Sequence, residues 1–153
     1  MATAKIGDIL EIATDKGRAY AQYTHENKLM GGLIRVFDAI HDSRQTDIAD
    51  LVRGTVRFST FLPVRQVVKQ KIFLVVGNAD ITPENQMFPL FRAGAVNPKT
   101  RKVDQWWLWD GEKEWPIGSL TAEQRRLPIR GCWNDTFLID RIEEGWTPEK
   151  DNL

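Results

Sequence analysis

The chain has 153 residues, 21 Lys+Arg against 21 Asp+Glu, 42% hydrophobic residues and one Cys. That length suits one domain with a hydrophobic core of its own. The composition argues against global disorder, a general polyanion binder, an internal disulfide and a cysteine-built zinc site.

The amino terminus, Met1-Ala2-Thr3-Ala4-Lys5, is short and polar, and no apolar run follows a basic start, so no secretory signal is expected. Ile6 to Ile12 alternates: Ile6, Asp8, Leu10 and Ile12 share one face. Asp15-Lys16-Gly17 signals a turn, and Ala19 to Tyr23 restarts an extended run, which together predict a β-hairpin. Gly31-Gly32 marks a second turn before a third strand over Leu33–Ile40, joined antiparallel because the connections are too short for a crossover. Thr46 to Val52 reads as a short helix with Thr46 or Asp47 near its cap and Gly54 beyond its end. Thr55–Leu62 is a strand limited by Pro63. Lys71–Val76 holds the longest apolar run, of the kind buried on both faces, and far too short for a membrane helix.

Asn78–Pro89 is predicted to be loop, and Leu90–Val96 extended. Asn97-Pro98-Lys99-Thr100 turns the chain into a strand over Val103–Trp109, and Asp110-Gly111 is a strong hairpin signal before Glu114–Ile117. Thr121 and Gln124 have the spacing of a capping box, and Pro128 stops that short helix. Asn134-Asp135 caps a last helix to about Glu144. Phe137, Leu138, Arg141 and Ile142 share its apolar face, with Arg141 at the edge, and Gly145 fits the C-cap. Residues 147–153 are expected to fray, leaving a core of about 5–146. No linker or repeat splits the chain. The sum is a single mostly-β α+β domain: a strongly bent antiparallel sheet or partly open barrel with two or three short helices.

Little in the chain is equipped for chemistry. His25 and His41 fit no metal-ligand spacing and read as surface or turn residues. Cys132, between Gly131 and Trp133, reads as a small buried hydrophobe rather than a nucleophile. No phosphate-binding glycine motif occurs. Asp8 with Glu11, and Asp110 with Glu112 and Glu114, are the candidate paired carboxylates. Asn134-Asp135-Thr136 matches a glycosylation acceptor that has no meaning without secretion.

The balanced charge conceals an asymmetry. Between Asp50 and Asp80 there is no acid, and Arg53, Arg57, Arg65, Lys69 and Lys71 give +5. From Asp135 to Asp151 six acids face Arg141 and Lys150, giving −4. Either the two segments neutralise each other, or they form a dipolar surface that steers a charged partner. Tryptophan is the most unusual feature: Trp106, Trp107, Trp109 and Trp115 fall close together. In a regular strand Trp107 and Trp109 share one face and Trp106 projects from the other. The strand is then either buried on both faces or offers an exposed aromatic to a partner. Tyr20, Tyr23, Phe58 and Phe61 beside the basic run also permit stacking on single-stranded nucleic acid, against which the neutral overall charge weighs.

The chain resembles the immunity protein 26 family of bacterial polymorphic-toxin systems. The stretches that carry the resemblance are Lys5-Ile6-Gly7-Asp8-Ile9-Leu10-Glu11-Ile12, then Asp15 to Tyr23, then Leu33-Ile34-Arg35-Val36-Phe37-Asp38. The most telling is Trp106-Trp107-Leu108-Trp109-Asp110-Gly111-Glu112-Lys113, followed by Ile117-Gly118-Ser119-Leu120 and Asp140-Arg141-Ile142-Glu143-Glu144-Gly145. The likeness runs in order through most of residues 5–146. It implies a small, mostly-β, non-enzymatic cytoplasmic protein. Such a protein binds and neutralises a cognate toxin domain by covering its active site, with no catalytic, metal or cofactor residues to carry over. The candidate partner contacts are Trp106, Trp115 and Trp133, with the acids Asp135, Asp140, Glu143 and Glu144 suited to a basic toxin. The rival expectations are a nucleic-acid-associated β-barrel module and a carboxylate-dependent hydrolase.

Overall fold

The computed structural model describes residues 3–153; Met1 and Ala2, part of the polar amino terminus, lie outside the described residues. In chain order the elements are β1 (Asp8–Thr14), β2 (Gly17–Asn27), β3 (Gly31–Phe37), α1 (Ile48–Val52), β4 (Val56–Leu62), α2 (Val64–Lys69), β5 (Leu74–Asn78), α3 (Pro83–Gln86), β6 (Phe91–Ala93), β7 (Trp106–Trp109), β8 (Glu114–Gly118) and α4 (Asp135–Glu143). Short 3-10 turns lie at Gln124–Arg126 and Pro148–Lys150. The fold is mostly β with short helices, as the patterning predicts. Its strands form two antiparallel sheets, neither closed into a barrel, and four α-helices are present. The chain divides into two compact units: residues up to Met87 with Gly131–Gly145, and Phe88–Arg130 with Trp146–Leu153.

The first unit holds a five-stranded sheet in the order β4-β3-β2-β1-β5. The predicted hairpin is present, with Leu10 opposite Ala21 and Ile12 opposite Ala19. Asn27 Oδ1 accepts from the backbone N–H groups of Leu29 and Met30, both at 2.9 Å, and so shapes the turn into β3. β1, β2 and β3 are buried on both faces. One core cluster unites Ile9, Tyr20 and Phe37 with Leu51 and Val52 of α1. Each such side chain contributes roughly 1.5–3 kcal/mol by leaving water. Asp47 caps α1 by accepting from Asp50 N at 3.0 Å, as its sequence predicts.

Two predicted elements change here. The strand foreseen from Lys71 begins only at Leu74, because α2 follows Pro63 and Lys71 sits at a left-handed φ of 59°. It is also not buried on both faces. β5 pairs only β1 and is the edge of its sheet, so Leu74 and Val75 stay exposed. The predicted loop over Asn78–Pro89 contains α3, with Pro83 at its first turn where no N–H is needed.

The second unit holds the sheet β6-β7-β8. The β7–β8 hairpin turns where predicted: Gly111 takes φ 102°, and Asp110 Oδ1 accepts from Glu112 N at 2.9 Å and Lys113 N at 2.8 Å. The Thr121/Gln124 capping box closes with reciprocal bonds of 3.2 and 2.9 Å, around a 3-10 turn rather than an α-helix. The tail expected to fray is held instead. Arg92, wholly buried in β6, donates from Nη2 to the Pro148 carbonyl at 2.6 Å, and Pro148 is itself buried. A buried guanidinium requires acceptors, and the tail supplies one. No helix among the described residues is long and apolar enough to cross a membrane.

Candidate functional site

In the first unit the predicted contact residues lie on or beside α4. Asn134 caps the helix by accepting from Phe137 N at 2.8 Å. Gly145 ends it at φ 69°, where a residue without Cβ is least strained. Leu138 and Ile142 turn inward and are buried. Arg57 fixes the carboxyl end: it pairs with Asp38 at 3.0 Å and donates to the Ile142 carbonyl at 3.1 Å. Ahead of the helix, Trp133 N donates to the Phe61 carbonyl at 2.9 Å, tying this segment to β4.

The opposite side of the helix is open. The half-buried Trp133 stacks on Phe137 at 4.8 Å between ring centroids and leans on Phe58 at 5.5 Å. Phe137 is 37% exposed, and the Arg141 guanidinium lies 4.6 Å over its ring. Arg141 Nη1 also donates to Glu144 at 3.2 Å. An open cleft of about 390 Å³ is lined by Asn134, Thr136, Phe137, Asp140, Arg141 and Glu144. An aromatic pair with an arginine, half-covered and rimmed by carboxylates, has the composition of a protein-binding hot spot.

This face collects five of the predicted contact residues with different exposures. Trp133 and Asp135 are half-buried, with Asp135 in the first turn where the helix dipole favours a carboxylate. Asp140 and Glu144 are exposed. Glu143 is engaged internally, accepting from Asp15 N at 2.6 Å in the β1–β2 turn. Phe137 belongs here although the sequence placed it on the buried stripe. It lies one position before Leu138 and stands at the outer border of that stripe, as Arg141 does before Ile142. Cys132, expected to be buried, is exposed, while its backbone forms a parallel bridge with Phe61 of β4.

Trp106 and Trp115 lie in the second unit. Trp106 is buried, with the Arg92 guanidinium 5.0 Å from its ring centre. The expected odd-face exposure fails because the face of β7 that carries Trp106 is the covered one, where Leu108 is buried as well. Trp107 is the half-buried residue instead. Trp115, on β8, is 39% exposed and remains a candidate contact. Beside it Glu114 pairs with Arg130 at 2.9 Å, and Arg130 lies over Trp109.

The candidate carboxylate pairs do not come together as reactive groups. Asp8 accepts from Lys5 N and Asn78 Nδ2, both at 2.9 Å. Glu11, buried, accepts from Arg44 Nη2 and Arg18 Nη1 at 2.8 Å, Arg44 Nε at 2.9 Å and Tyr20 OH at 2.8 Å. The hydrogen bonds from Arg44 hold its carboxyl down at about 2, opposite to the upward shift a general acid needs. Asp110 is the turn former described above, and its backbone donors also lower its pKa. His25 lies within β2; its Nε2 donates to the Gln86 carbonyl at 2.8 Å, and burial lowers its pKa. Among the described residues no group of three or more His, Cys, Asp or Glu side chains is placed to hold a metal ion.

Neither a family model, a curated protein nor a solved structure matches this chain.

Proposed function

We propose that this protein is a cytoplasmic immunity protein that binds a cognate toxin domain and blocks it by steric cover, using the α4 face. The observation that supports this reading is the Trp133–Phe137 stack under Arg141, left half-open and rimmed by Asp140 and Glu144. Aromatic and arginine side chains in such a setting supply most of the energy of protein interfaces, and the surrounding carboxylates steer a basic partner. The sequence resemblance points to the same role. Catalysis by this chain has no part in the mechanism: the partner loses activity because its own active site is covered.

The test is co-expression with the product of the adjacent gene. The two proteins are expected to co-purify, and this chain is expected to restore growth to cells expressing that product. Absence of both a complex and rescue overturns the reading.

A further inference from the structure

The second unit carries an open cleft of about 460 Å³, lined by Ala93, Gly94, Ala95, Trp107, Glu114 and Arg130. The strand register brings these residues together. Ala93 of β6 and Pro116 of β8 both pair with Trp107 of β7, so the three lie on one face of the sheet. Phe91, Trp109 and Glu114 form the next row of that face. Arg130 comes from the segment beside β6, where its backbone N–H donates to the Arg92 carbonyl at 2.9 Å. Its guanidinium passes over the Trp109 ring, 5.3 Å from the centroid, and Nη1 donates to Glu114 Oε2 at 2.9 Å. Along the cleft Ala93 and Ala95 carry only methyl groups, and a Cβ on Gly94 would overlap Val103.

Two properties define what fits. Trp107 is half-buried, and among the described residues neither a second aromatic ring nor a guanidinium lies over it, unlike Trp106 beside Arg92 and Trp109 under Arg130. Its ring and the neighbouring methyl groups form an apolar wall for a ligand with a flat C–H face. The Arg130–Glu114 pair, with side chains 27% and 47% exposed, cancels its own charge and so selects neither an anion nor a cation. Among the described residues Glu114 Oε1 and Arg130 Nη2 take no hydrogen bond, which leaves an acceptor beside a donor. A hydroxyl group donates and accepts at once, and two neighbouring hydroxyls span both partners. A pyranose joins a C–H face to a rim of hydroxyls, and one whose hydroxyls are all equatorial has the flattest faces.

We propose that this cleft binds a neutral saccharide, one β-glucose ring stacking on Trp107 while neighbouring hydroxyls bond to Glu114 Oε1 and Arg130 Nη2. An open cleft that covers a single ring face binds weakly, with a Kd of about 1 mM.

Titration of the full chain with cellobiose, followed by nitrogen–proton NMR, tests this. The indole signal of Trp107 and the amides of Ala93–Ala95 are expected to shift and to saturate with a Kd of about 1 mM. Trp107→Ala is expected to weaken binding at least about tenfold, and Trp107→Phe, which keeps a flat ring, to stay within about threefold of the original. Glu114→Gln, which keeps the shape and removes the carboxylate, is expected to weaken it about fivefold. Unchanged circular dichroism shows that each variant keeps the fold. Triglycine, which has amide donors and acceptors but no C–H ring face, is expected to cause no shift. Absence of a saturable shift up to about 50 mM cellobiose overturns the proposal. So does cellobiose binding that Trp107→Ala or Glu114→Gln leaves unaltered, or a response to triglycine equal to that to cellobiose.

Discussion

Two clusters in the first unit are built from the same parts and come out opposite. Around Glu11, a carboxylate meets Arg18, Arg44 and the Tyr20 ring; on α4, carboxylates meet Arg141 and the Phe137 ring. Glu11 is buried and receives four donated hydrogen bonds, so its bonding capacity is spent inside the molecule. Its arginines lie on the β2 strand and on the segment before α1, and Tyr20 OH also accepts from Gln45 N at 2.8 Å. That cluster locks the segment after β3 onto the sheet. On α4 the carboxylates stay in water and the aromatic stack is only half-covered. The chemical types are alike; burial and saturation decide that one cluster stabilises and the other is available.

The contrast breaks first at Glu11. Its folded pKa of about 2 lies below the ordinary value of 4.5. A lowered carboxylate pKa contributes stability that is complete above the ordinary value and is lost as pH falls from about 4.5 toward about 2. A shift of this size corresponds to roughly 3 kcal/mol. Glu11→Gln is expected to cost on the order of 2–3 kcal/mol at pH 7 in urea unfolding, and to flatten the pH dependence between about 4.5 and 2. The remaining arginines are partly exposed and regain water, which keeps the cost at the lower end. Under conditions where the variant stays folded, partner binding is expected to be unchanged. A loss of binding without a loss of stability would reverse the roles assigned to the two clusters.

Phe137→Ala reads the other cluster. The ring is partly exposed and packs on Trp133 rather than in the core, so unfolding free energy is expected to change by less than about 1 kcal/mol. Binding to the co-expressed partner is expected to weaken by about tenfold or more, the scale of a hot-spot aromatic. Titration calorimetry with the purified partner measures it. Equal affinity would move the interface off α4, with exposed Trp115 as the next residue to truncate.

What the sequence revealed and what it hid divide along the range of the interactions. The β1–β2 hairpin, the caps at Asp47 and Asn134, the Asp110-Gly111 turn and the Gly145 C-cap are local chemistry, written within a few residues, and all are present. The edge position of β5 is not local. An apolar run reads alike whether it has one neighbouring strand or two. Alternation separates Trp106 from Trp107 but does not display which face of β7 is covered; Arg92, distant in sequence, packs on Trp106. The Arg44–Glu11 pair joins residues far apart in sequence, so neither residue's neighbourhood announces it. Phe137 and Arg141 sit one position off the buried stripe of α4. At helical spacing, that one position decides between core and surface.

The charged rim of α4 gives the smallest and most specific effect. The acidic run Asp135–Asp151 does not act as one patch. Glu149 pairs with Arg126 in the second unit, and Glu143 is bonded to the Asp15 backbone. Asp140 and Glu144 are the exposed carboxylates lining the α4 cleft. Exposed charges act mainly on encounter, over about 10 Å at 0.1 M salt. Asp140→Asn combined with Glu144→Gln is therefore expected to slow association with a basic partner about threefold at low salt, to leave dissociation nearly unchanged, and to lose its effect as salt rises. Glu144→Gln also releases Arg141 from its ion pair, so the Asp140→Asn single variant separates steering from that rearrangement. Faster association in the neutralised variant would mean an acidic partner. The attraction would then come from Arg141 over the Phe137 ring, and the carboxylates would serve to hold that arginine in place.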